Sequence, residues 1–531
     1  MQHETIWWIK YRRRFYKPRK YLSIEMIIRK SFLQALKEYT KNSSIAGLKD
    51  LFNADIKWAQ RFIKVLLFIS MMGTTFYILY YTWHGTLGKP LVITMESSNY
   101  PISKIDFPAV ALCNVNRISK TSLKKTALYF YTQLAHNETL AQIEKLCLKL
   151  GRLIDCSYNA SLDNVSWFWE TMRRLYSTRS TIDLMKMLAP KCDDMLLKCS
   201  WAGKIVDCSS IFTVRRTVRG HCCAFNYILN YDMAGKPNST IATVKRQALP
   251  GLYQGLMLLL DPMIHDYAYP IHNIEGFDVF LFDPTHFADP TGGNVIHKII
   301  EPNRAEFVQL KSVKQRASPE IRKYPLQTRK CLFHDEMPEK FGEMYSYSAC
   351  LVNCRMNSMK SLCKCTPYYM PSDAHERVCT IHDLQCLNKY KEKLTYIYPV
   401  NALDSDGMDW ELQNSLYCPD CLPDCELTHH RVQSFKTSLT IEENHKNKAY
   451  PYSILENMNL TDKCILAIYQ STADGMVDRL DVVSYWFEVL SNLGGFGGIL
   501  VGFSIICATE VFYFFIMRFL KLIVINYNDY H

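Results

Sequence analysis

The stretch SNLGGFGGILVGFS, residues 491–504, lies in an apolar run near the C-terminus and contains five glycines. Glycine is the poorest helix former after proline, so its density here needs a reason other than helix propensity. The uncharged run around it, Val489 to Thr509, is 21 residues long, and a second such run, Val65 to Trp83, is 19 residues long. Each is about the length that an α-helix needs to cross ~30 Å of hydrocarbon. The sequence therefore predicts two transmembrane helices; buried core helices are the alternative, but they seldom stay uncharged all round for so long.

Charge predicts the orientation of the first span. Residues 1–64 contain fifteen Lys or Arg against five Asp or Glu, in a chain whose net charge is +11. Cations concentrate on the cytoplasmic side of a span, so both termini of a two-span chain are predicted to be cytoplasmic. The basic run YRRRFYKPRK, residues 11–20, could also suggest nucleic acid. Since no domain-sized basic surface accompanies it, we predict no nucleic-acid partner and interpret the run as a topology determinant that can contact anionic lipid.

The first 57 residues lack the apolar stretch and small-residue cleavage site of a signal peptide. The first span is therefore expected to be an uncleaved anchor in the plasma membrane. This topology divides the chain into a basic cytoplasmic tail at 1–60, a first span at 61–83, an extracellular domain at 84–484, a second span at 485–517 and a short cytoplasmic tail at 518–531.

Cysteines and glycosylation sequons support this topology. Nineteen of the twenty cysteines lie between the spans, Cys507 lies within the second span, and neither tail contains any. Disulfides persist in oxidising compartments, which favours an extracellular position for the loop. Asn42 belongs to a sequon in the predicted cytoplasmic tail and is expected to stay unmodified. The N-x-S/T sequons of the outer loop, predicted to be glycosylated, are at Asn137, Asn159, Asn164, Asn238 and Asn459.

The outer loop is predicted to be a mixed α/β domain. Three short apolar runs bounded by Pro, Asp or Gly are typical of strands: FPAVALCNV (107–115), GLMLLL (255–260) and FDVFLF (277–282). Between Thr121 and Met195 the pattern is more helical, with apolar residues at three- and four-residue spacing in LAQIEKLCLKL (140–150).

The second half of the loop is dense in cysteine. Cys363 and Cys365 with Cys418 and Cys421 resemble paired zinc ligands. The extracellular position, the even count and the tight C-x-C spacing favour disulfides over metal. A ladder of five bridges would stiffen a narrow rod. The ten cysteines are Cys331, Cys350, Cys354, Cys363, Cys365, Cys379, Cys386, Cys418, Cys421 and Cys425.

Enzymatic motifs are absent from the outer loop, which contains no H-E-x-x-H, G-x-S-x-G, Walker A or dinucleotide glycine pattern. The histidines form no ligand set at metal spacing, and the adjacent His429 and His430 are expected at the surface. The outer-loop carboxylates are expected to be solvated. We therefore predict that the chain is not an enzyme and has no catalytic residue, metal or cofactor.

Several stretches together resemble the degenerin/epithelial sodium channel family and, in detail, its insect pickpocket branch. The resemblance covers the chain from Asn42 to about Phe519, and the order and spacing of the stretches make it specific. They are NSSIAGL, FPAVALCNVNRI, GHCCAFN, GLYQGLMLLLDP, RKCLFHDE, YSYSACLVNCRMNSMKSLCKCTPYYMP, YCPDCLPDC and SNLGGFGGILVGFS.

This resemblance implies a trimeric, sodium-selective, usually amiloride-sensitive cation channel. Its extracellular domain would have a β-sheet palm, a β-ball, a finger and a disulfide-laddered thumb. The implied thumb bridges are Cys331–Cys425, Cys350–Cys421, Cys354–Cys418, Cys363–Cys386 and Cys365–Cys379, and the implied upstream bridges are Cys199–Cys208 and Cys113–Cys222. The family offers no partner for five further cysteines: Cys147, Cys156, Cys192, Cys223 and Cys464. Because the number of outer cysteines is odd, at least one of them must be free. We predict that Cys464 is the free one.

The resemblance also assigns residues to gating and permeation. The family's His-Gly gating pair, in the tail before the first span, is Ala46-Gly47 here, and a methyl group cannot replace the hydrogen bonds of an imidazole. The selectivity filter, G-x-S in the family, corresponds to Gly502, Phe503 and Ser504, where the family usually has a small middle residue. At the pore mouth, Ser491 matches the degenerin position, where bulky side chains hold the pore open. Its neighbour Asn492 stands where some relatives have Asp.

The second span is long for a continuous helix. Val489 to Met517 would extend roughly 43 Å at 1.5 Å per residue, so the segment must tilt strongly or break. Irregular backbone at membrane depth is tolerated where it lines a water-filled path. Gly494, Gly498 and Gly502 recur at every fourth position on one helix face, a pattern that lets helices approach closely; such packing alone could explain them, without a pore role. The glycines assigned to helix packing are Gly494, Gly495 and Gly498. Glu488 and Glu510 flank the uncharged stretch and could form carboxylate rings in a trimer.

The sequence thus predicts a pore-forming sodium channel subunit that is permeant to Na⁺. We expect it to assemble as a homotrimer or in a trimer with paralogous subunits. Its stimulus is not identified by the sequence, and an extracellular ligand is one candidate. We expect a role in sensory signalling or in epithelial salt and fluid transport. The main alternative is a non-conducting auxiliary or ligand-recognition subunit of a heteromeric channel. A two-span ATP-gated channel is a third interpretation, but the lysine-rich ATP site and cysteine spacing of that class are absent from the sequence.

Overall fold

The computed structural model describes residues 23–45, 47–52, 57–88, 91–133, 139–158, 180–228, 244–336, 345–371, 376–398, 406–439, 454–455 and 458–530. The chain forms two compact units, one comprising Met1–Val92 with Val482–His531 and the other Ile93–Asp481. The second unit lies within the predicted extracellular domain.

The longer helices are α1 (Ile24–Asn42), α2 (Trp58–Gly88), α3 (Lys120–Gln133), α4 (Leu140–Leu148), α5 (Ser180–Leu188), α6 (Tyr347–Cys363), α7 (Trp486–Val501), α8 (Ile505–Phe512) and α9 (Phe519–Tyr530). A π-helical segment, Tyr513–Arg518, joins α8 to α9. Short α-helical segments are Leu48–Leu51, Arg152–Asp155, Cys192–Met195, Cys208–Ile211, Leu326–Arg329, Leu384–Lys389, Lys391–Thr395 and Asp409–Gln413. Turns of 3-10 helix are Ile102–Lys104, Lys149–Gly151, Leu252–Gln254, Ile264–Asp266, Pro290–Gly292, Pro319–Lys323 and Ile381–Asp383.

The strands are β1 (Leu91–Pro101), β2 (Ala109–Asn114), β3 (Leu196–Trp201), β4 (Lys204–Val206), β5 (Phe212–Thr217), β6 (Gly220–Phe225), β7 (Leu256–Leu260), β8 (Phe277–Phe282), β9 (Ile296–Ile300), β10 (Arg304–Ala317), β11 (Ile397–Tyr398), β12 (Leu416–Tyr417), β13 (Leu427–Ser438), β14 (Cys464–Gln470) and β15 (Asp474–Val482).

An eight-stranded sheet is built around the long strand β10. Its order is β1-β15-β10-β14-β7-β3-β4, and β13 pairs antiparallel with β10 from Arg304 opposite Ser438 to Gln315 opposite Leu427. Strands β7 and β14 are buried at every residue, as expected for continuous apolar strands that are covered on both faces. The prediction of a strand at 255–260 is confirmed by β7.

A five-stranded sheet has the order β5-β6-β2-β8-β9. Its central strands β2 and β8 confirm the strands predicted at 107–115 and 277–282. Leu112 and Leu281 from this sheet lie in one apolar core with Leu258, Leu310 and Ile468 from the larger sheet. The two sheets therefore bury their apolar faces together, which stabilises this unit.

A helical cluster accounts for the helical pattern that the sequence predicts after Thr121. Helices α3, α4 and α5 share a core with α6 and the chain that follows it. Helix α4 begins with a capping box, in which the Thr139 hydroxyl accepts from the Gln142 N–H and the Gln142 side chain accepts from the Thr139 N–H. Its apolar spacing buries Ile143, Leu146 and Cys147.

All seven disulfides implied by the resemblance are present, together with one more. The additional bridge joins Cys192 to Cys223, two of the five cysteines for which the family offered no partner. Cys223 follows Cys222 on β6, and successive strand side chains point to opposite faces, so each residue reaches a different partner. The seven are Cys113–Cys222, Cys199–Cys208, Cys331–Cys425, Cys350–Cys421, Cys354–Cys418, Cys363–Cys386 and Cys365–Cys379.

The unpaired cysteines are all buried. Cys464 is free, as predicted, and so are Cys147, Cys156 and Cys507. Burial raises the pKa of the Cys147 and Cys156 thiols, to about 12 and about 11, so they stay protonated. The four cysteines that resembled zinc ligands are all in bridges, and among the described residues no group of His, Cys, Asp and Glu has the arrangement of a metal site.

Two bridges of different span give a matched test of how the disulfides stabilise the fold. Cys113–Cys222 has a sequence separation of 109, of which the intact Cys192–Cys223 bridge leaves a loop of about 80 residues, whereas Cys199–Cys208 has a separation of 9. From loop-closure entropy, replacing both cysteines of the long bridge by Ala is expected to cost about 4.5 kcal/mol of unfolding free energy, against about 2.5 kcal/mol for the short one. Thermal unfolding of the detergent-solubilised full chain measures the difference. Equal losses from the two double variants would contradict the entropic explanation.

Candidate functional site

Two apolar segments of the first unit have the length and composition of membrane spans. The helix Trp58–Gly85 has them by itself, and few of its residues are buried within the chain. Trp486–Val501 and Ile505–Asn528 have them only as a pair, bent by 82° at a short break. The length of the second apolar segment predicted either a strong tilt or a break. The structure has a break, at Gly502 to Ser504.

The first half of the break is a helix C-terminus built on Gly502. The residue adopts φ of 66°, in the left-handed region that costs glycine least. Its N–H donates to the Gly498 carbonyl at 3.0 Å, and the Phe503 N–H donates to the Gly497 carbonyl at 3.0 Å. These bonds satisfy carbonyls that the end of α7 would otherwise leave open.

The second half of the break is a helix N-terminus built on Ser504. Ser504 is extended, and its hydroxyl accepts from the Cys507 N–H at 3.4 Å. Serine is among the preferred N-cap residues for this reason. The buried Cys507 thiol lies 3.5 Å from the Gly502 carbonyl oxygen and contacts the Ser504 hydroxyl at 3.6 Å. Cys507 thus joins the two sides of the break, a role that sequence reasoning missed because it had no partner to assign.

Phe503 folds back on α7. A Cβ at Gly497 would lie 3.5 Å from the Phe503 Cβ, and one at Gly498 would lie 3.7 Å from the Phe503 carbonyl oxygen. At Gly494 and Gly495 an added Cβ would meet open space in this chain. The glycine that Phe503 packs on is therefore Gly497, which sequence reasoning did not single out. Close packing at Gly494 stays a prediction for a neighbouring subunit.

The pore-mouth residues lie on the first turns of α7. The Glu488 carboxylate accepts from the Tyr485 N–H at 3.1 Å and so caps the N-terminus of the helix. Ser491 and Asn492 follow on the next turn, and both are exposed. The structure thus gives Glu488 a local structural role, and its predicted charge ring stays a prediction.

Glu510 binds the chain next to the predicted gating pair. The Ser44 N–H donates to its carboxylate at 2.9 Å, and the Ser44 hydroxyl donates to the other oxygen. Gly47 follows with φ of 81°, whereas Ala46 lies outside the described residues. The other carboxylate of the predicted rings is therefore engaged by Ser44 within this chain.

The N-terminal helix packs along the C-terminal helix. Glu38 accepts two hydrogen bonds from Arg518, at 2.7 and 3.2 Å, and this pairing lowers the pKa of Glu38. Asn526 donates to the Ser31 hydroxyl at 2.8 Å in a buried position. These partners are nearly five hundred residues apart, and single-sequence patterns offer no signal for such a pairing.

In the second unit, a buried histidine-carboxylate pair joins α6 to β8. His286 Nε2 lies 3.3 Å from the Asp424 carboxylate, and both side chains are almost completely buried. The other Asp424 oxygen accepts from the N–H of Tyr347, the first residue of α6, at 3.0 Å. Burial opposes protonation of His286, but the Asp424 hydrogen bond and the Asp283 charge raise its pKa above the usual value.

Two predictions of surface exposure, those for Asp424 and His430, are wrong in the second unit. Asp424 is buried because a helix terminus and a histidine both bond to it, and the expectation of solvated carboxylates fails here. His430 is half-buried, and its Nδ1 bonds to the Ser312 hydroxyl at 2.8 Å, since β13 pairs with β10 and brings the two together. Burial lowers the pKa of His430 to about 4, so this histidine is neutral near pH 7. The prediction is confirmed for the adjacent His429, which is exposed.

The raised pKa of His286 predicts a pH-dependent stability. A group whose folded pKa is raised contributes stability that is fully present below about 6.5, the unfolded value, and is lost as pH rises through the folded pKa. The thermal midpoint of the full chain is expected to fall by about 2 °C more between pH 6 and pH 8.5 than it does in His286→Gln. The exposed His265→Gln is the control and should retain the wild-type slope. The same slope in His286→Gln would contradict the assignment.

Comparison with known proteins places the chain in a family. The family model described as "Amiloride-sensitive sodium channel" matches residues 39–514. Pickpocket protein 28 of Drosophila melanogaster is 24% identical over 524 residues, covering 90% of this chain and 78% of that protein. Sodium channel protein Nach of the same organism is 24% identical over 498 residues, covering 90% and 86%. Acid-sensing ion channel 4 of Rattus norvegicus is 23% identical over 492 residues, covering 90% and 78%.

The family match extends over the first apolar segment, the disulfide-rich unit and the second apolar segment as far as residue 514, which includes the break between α7 and α8. Each of these three relatives covers nine-tenths of the chain. The chain belongs to the amiloride-sensitive sodium channel family, among pickpocket-like relatives.

Proposed function

We propose that this chain is a pore-forming subunit of a trimeric, amiloride-sensitive, sodium-selective cation channel of the plasma membrane. Channels of its family are plasma membrane proteins. In this proposal the spans are 61–83 and 485–517, both termini are cytoplasmic, and the other subunits are copies of this chain or paralogues.

The observation that supports the proposal is the break at Gly502–Ser504. An apolar segment whose helix is interrupted has irregular backbone at membrane depth, which is tolerated where it lines water or is buried in protein. Three symmetric copies would surround an axis with carbonyl and hydroxyl oxygens, the ligands that replace the hydration shell of a cation. We assign Gly502, Phe503 and Ser504 to the filter, with Phe503 directed to its own helix and the oxygens of the flanking residues to the ion.

The arrangement of the extracellular unit is consistent with this family assignment. We assign the eight-stranded sheet to the palm, the five-stranded sheet to the β-ball, α3 to α5 to the finger, and α6 with its bridges to the thumb. Of the predicted glycosylation sites, Asn459 is exposed, and the other four lie outside the described residues.

The test is expression of the chain alone and together with pickpocket relatives, with currents recorded in Na⁺ and then K⁺ and with amiloride added. A sodium-selective, amiloride-blocked current from the chain alone supports a homomeric pore, and a current that requires a relative supports a heteromer. Surface biotinylation verifies that the chain reaches the membrane. If the chain changes the gating or the surface density of a relative's current, but no variant of Gly502 changes the selectivity of that current, the auxiliary role that the Ala46 substitution suggests is correct and the pore role is wrong.

A further inference from the structure

A small cavity lies in the second unit where the five-stranded sheet meets the helical cluster. It is bounded by the chain after β2, the end of α5, the β5–β6 turn and the segment after α6. Arg117, Arg219, His221 and Tyr368 contribute its polar side chains, together with Asn114 and Asn116, and no carboxylate is among the described residues that line it.

Positive charge exceeds negative charge around this cavity. Asp278, fully buried behind it, is bonded by Arg117 and by His297 at 3.0 Å, and its carboxylate is 4.0 Å from Arg219 Nε. One carboxylate therefore faces two guanidinium groups. Burying an unbalanced cation is costly unless an anion compensates it.

The asparagines of the cavity are fully engaged, whereas two guanidinium donors are not. The Asn114 side-chain oxygen accepts from the Asn116 N–H at 2.9 Å and its amide donates to the Pro262 carbonyl at 2.8 Å. The Asn116 side-chain oxygen accepts from the N–H groups of Ala268 and Tyr269, and its amide donates to the Asp266 carbonyl. In contrast, Nε of Arg117 and Nε of Arg219 have no hydrogen-bond partner among the described residues. A water molecule needs both donors and acceptors, whereas an anion needs only donors.

We propose that this cavity binds one small monovalent inorganic anion, chloride in extracellular fluid. Its volume suffices for about one ion or water molecule, which excludes carboxylate ligands with a body of several atoms. The anion balances the second guanidinium and joins the β5–β6 turn to the end of β2. Binding therefore stabilises the junction of the five-stranded sheet and the helical cluster, independently of the pore.

The test is thermal unfolding of the purified full chain in sodium chloride, sodium bromide and sodium gluconate at one ionic strength. Both halides are expected to raise the midpoint by about 2 °C over gluconate, because a ligand that binds only the folded state stabilises it. Arg219→Gln should abolish the difference. This variant leaves the Arg117–Asp278 ion pair intact, so it avoids the misfolding expected if Asp278 were left without Arg117.

The matched control is Arg215→Gln, which removes the same charge from the same hairpin but does not line the cavity. It should retain the full halide shift, and Arg219→Lys should retain part of it because the charge stays. Equal midpoints in halide and gluconate for the wild-type chain would show a water-filled cavity and overturn the proposal. An undiminished halide shift in Arg219→Gln would overturn it as well.

Discussion

Replacing Gly502 with arginine is expected to abolish the sodium current while the protein still reaches the cell surface. Gly502 has φ of 66° and lies at the break between α7 and α8. A side chain there is strained in the left-handed region, by about 1–2 kcal/mol, and a guanidinium near a cation path adds electrostatic repulsion. Whole-cell current in Na⁺, normalised to biotinylated surface protein, measures the effect.

Two further variants separate backbone strain from charge. Asparagine tolerates the left-handed region better than other residues, so Gly502→Asn should retain most of the surface protein and part of the current, whereas Gly502→Ala should lose more of the current. Gly73→Ala is the control, because its Cβ would meet open space within the helix α2 and the residue has no assigned role in the pore. A full current in Gly502→Arg at normal surface density would disprove the pore assignment of this residue.

Enlarging Ser491 is expected to have the opposite effect, a constitutive current. Ser491 lies on α7 one turn after Glu488, which caps the helix, and its side chain is exposed in the single chain. If three copies of α7 approach one another in the closed channel, a β-branched side chain cannot withdraw from the contact and the closed packing loses stability. A loss of about 1.4 kcal/mol from the closed state raises the ratio of open to closed channels about tenfold.

The measurement is the amiloride-blocked current of Ser491→Val before any stimulus, compared with wild type. Ser491→Ala, which is smaller than the native residue, should leave the resting current unchanged. Resting currents that are equal in the two variants, at equal surface density, would show that position 491 does not contact the closed gate.

The parts of the fold that follow from local patterns were predictable from sequence. Uncharged length predicted two apolar segments that have the length and composition of membrane spans, and runs such as GLMLLL predicted central strands, because burial on both faces requires an unbroken apolar sequence. The break at Gly502 also followed, from span length and glycine content. In each case the signal and the structure lie within the same short segment.

The parts that depend on distant pairing were not predictable. Ser44 and Glu510 are 466 residues apart, and nothing in either neighbourhood specifies the other. Burial of Asp278 and Asp424 depends on arginine or histidine partners that the tertiary fold supplies, and a single sequence shows carboxylates without their partners. The Cys192–Cys223 bridge belongs to the same class, because many pairings of unassigned cysteines were open.

The neighbouring cysteines of β6 make biosynthesis of this chain demanding. Cys222 faces the core that contains Cys113, and Cys223 faces the core shared by the two sheets. If the two thiols exchanged partners, the number of bonds would be unchanged, but the strand would have to turn over and present its apolar side chains to the wrong layer. Such an error is reversed only in an oxidising compartment that contains disulfide isomerase. Chains made in a bacterial cytosol and oxidised after purification would therefore have all their disulfides and still be wrongly folded.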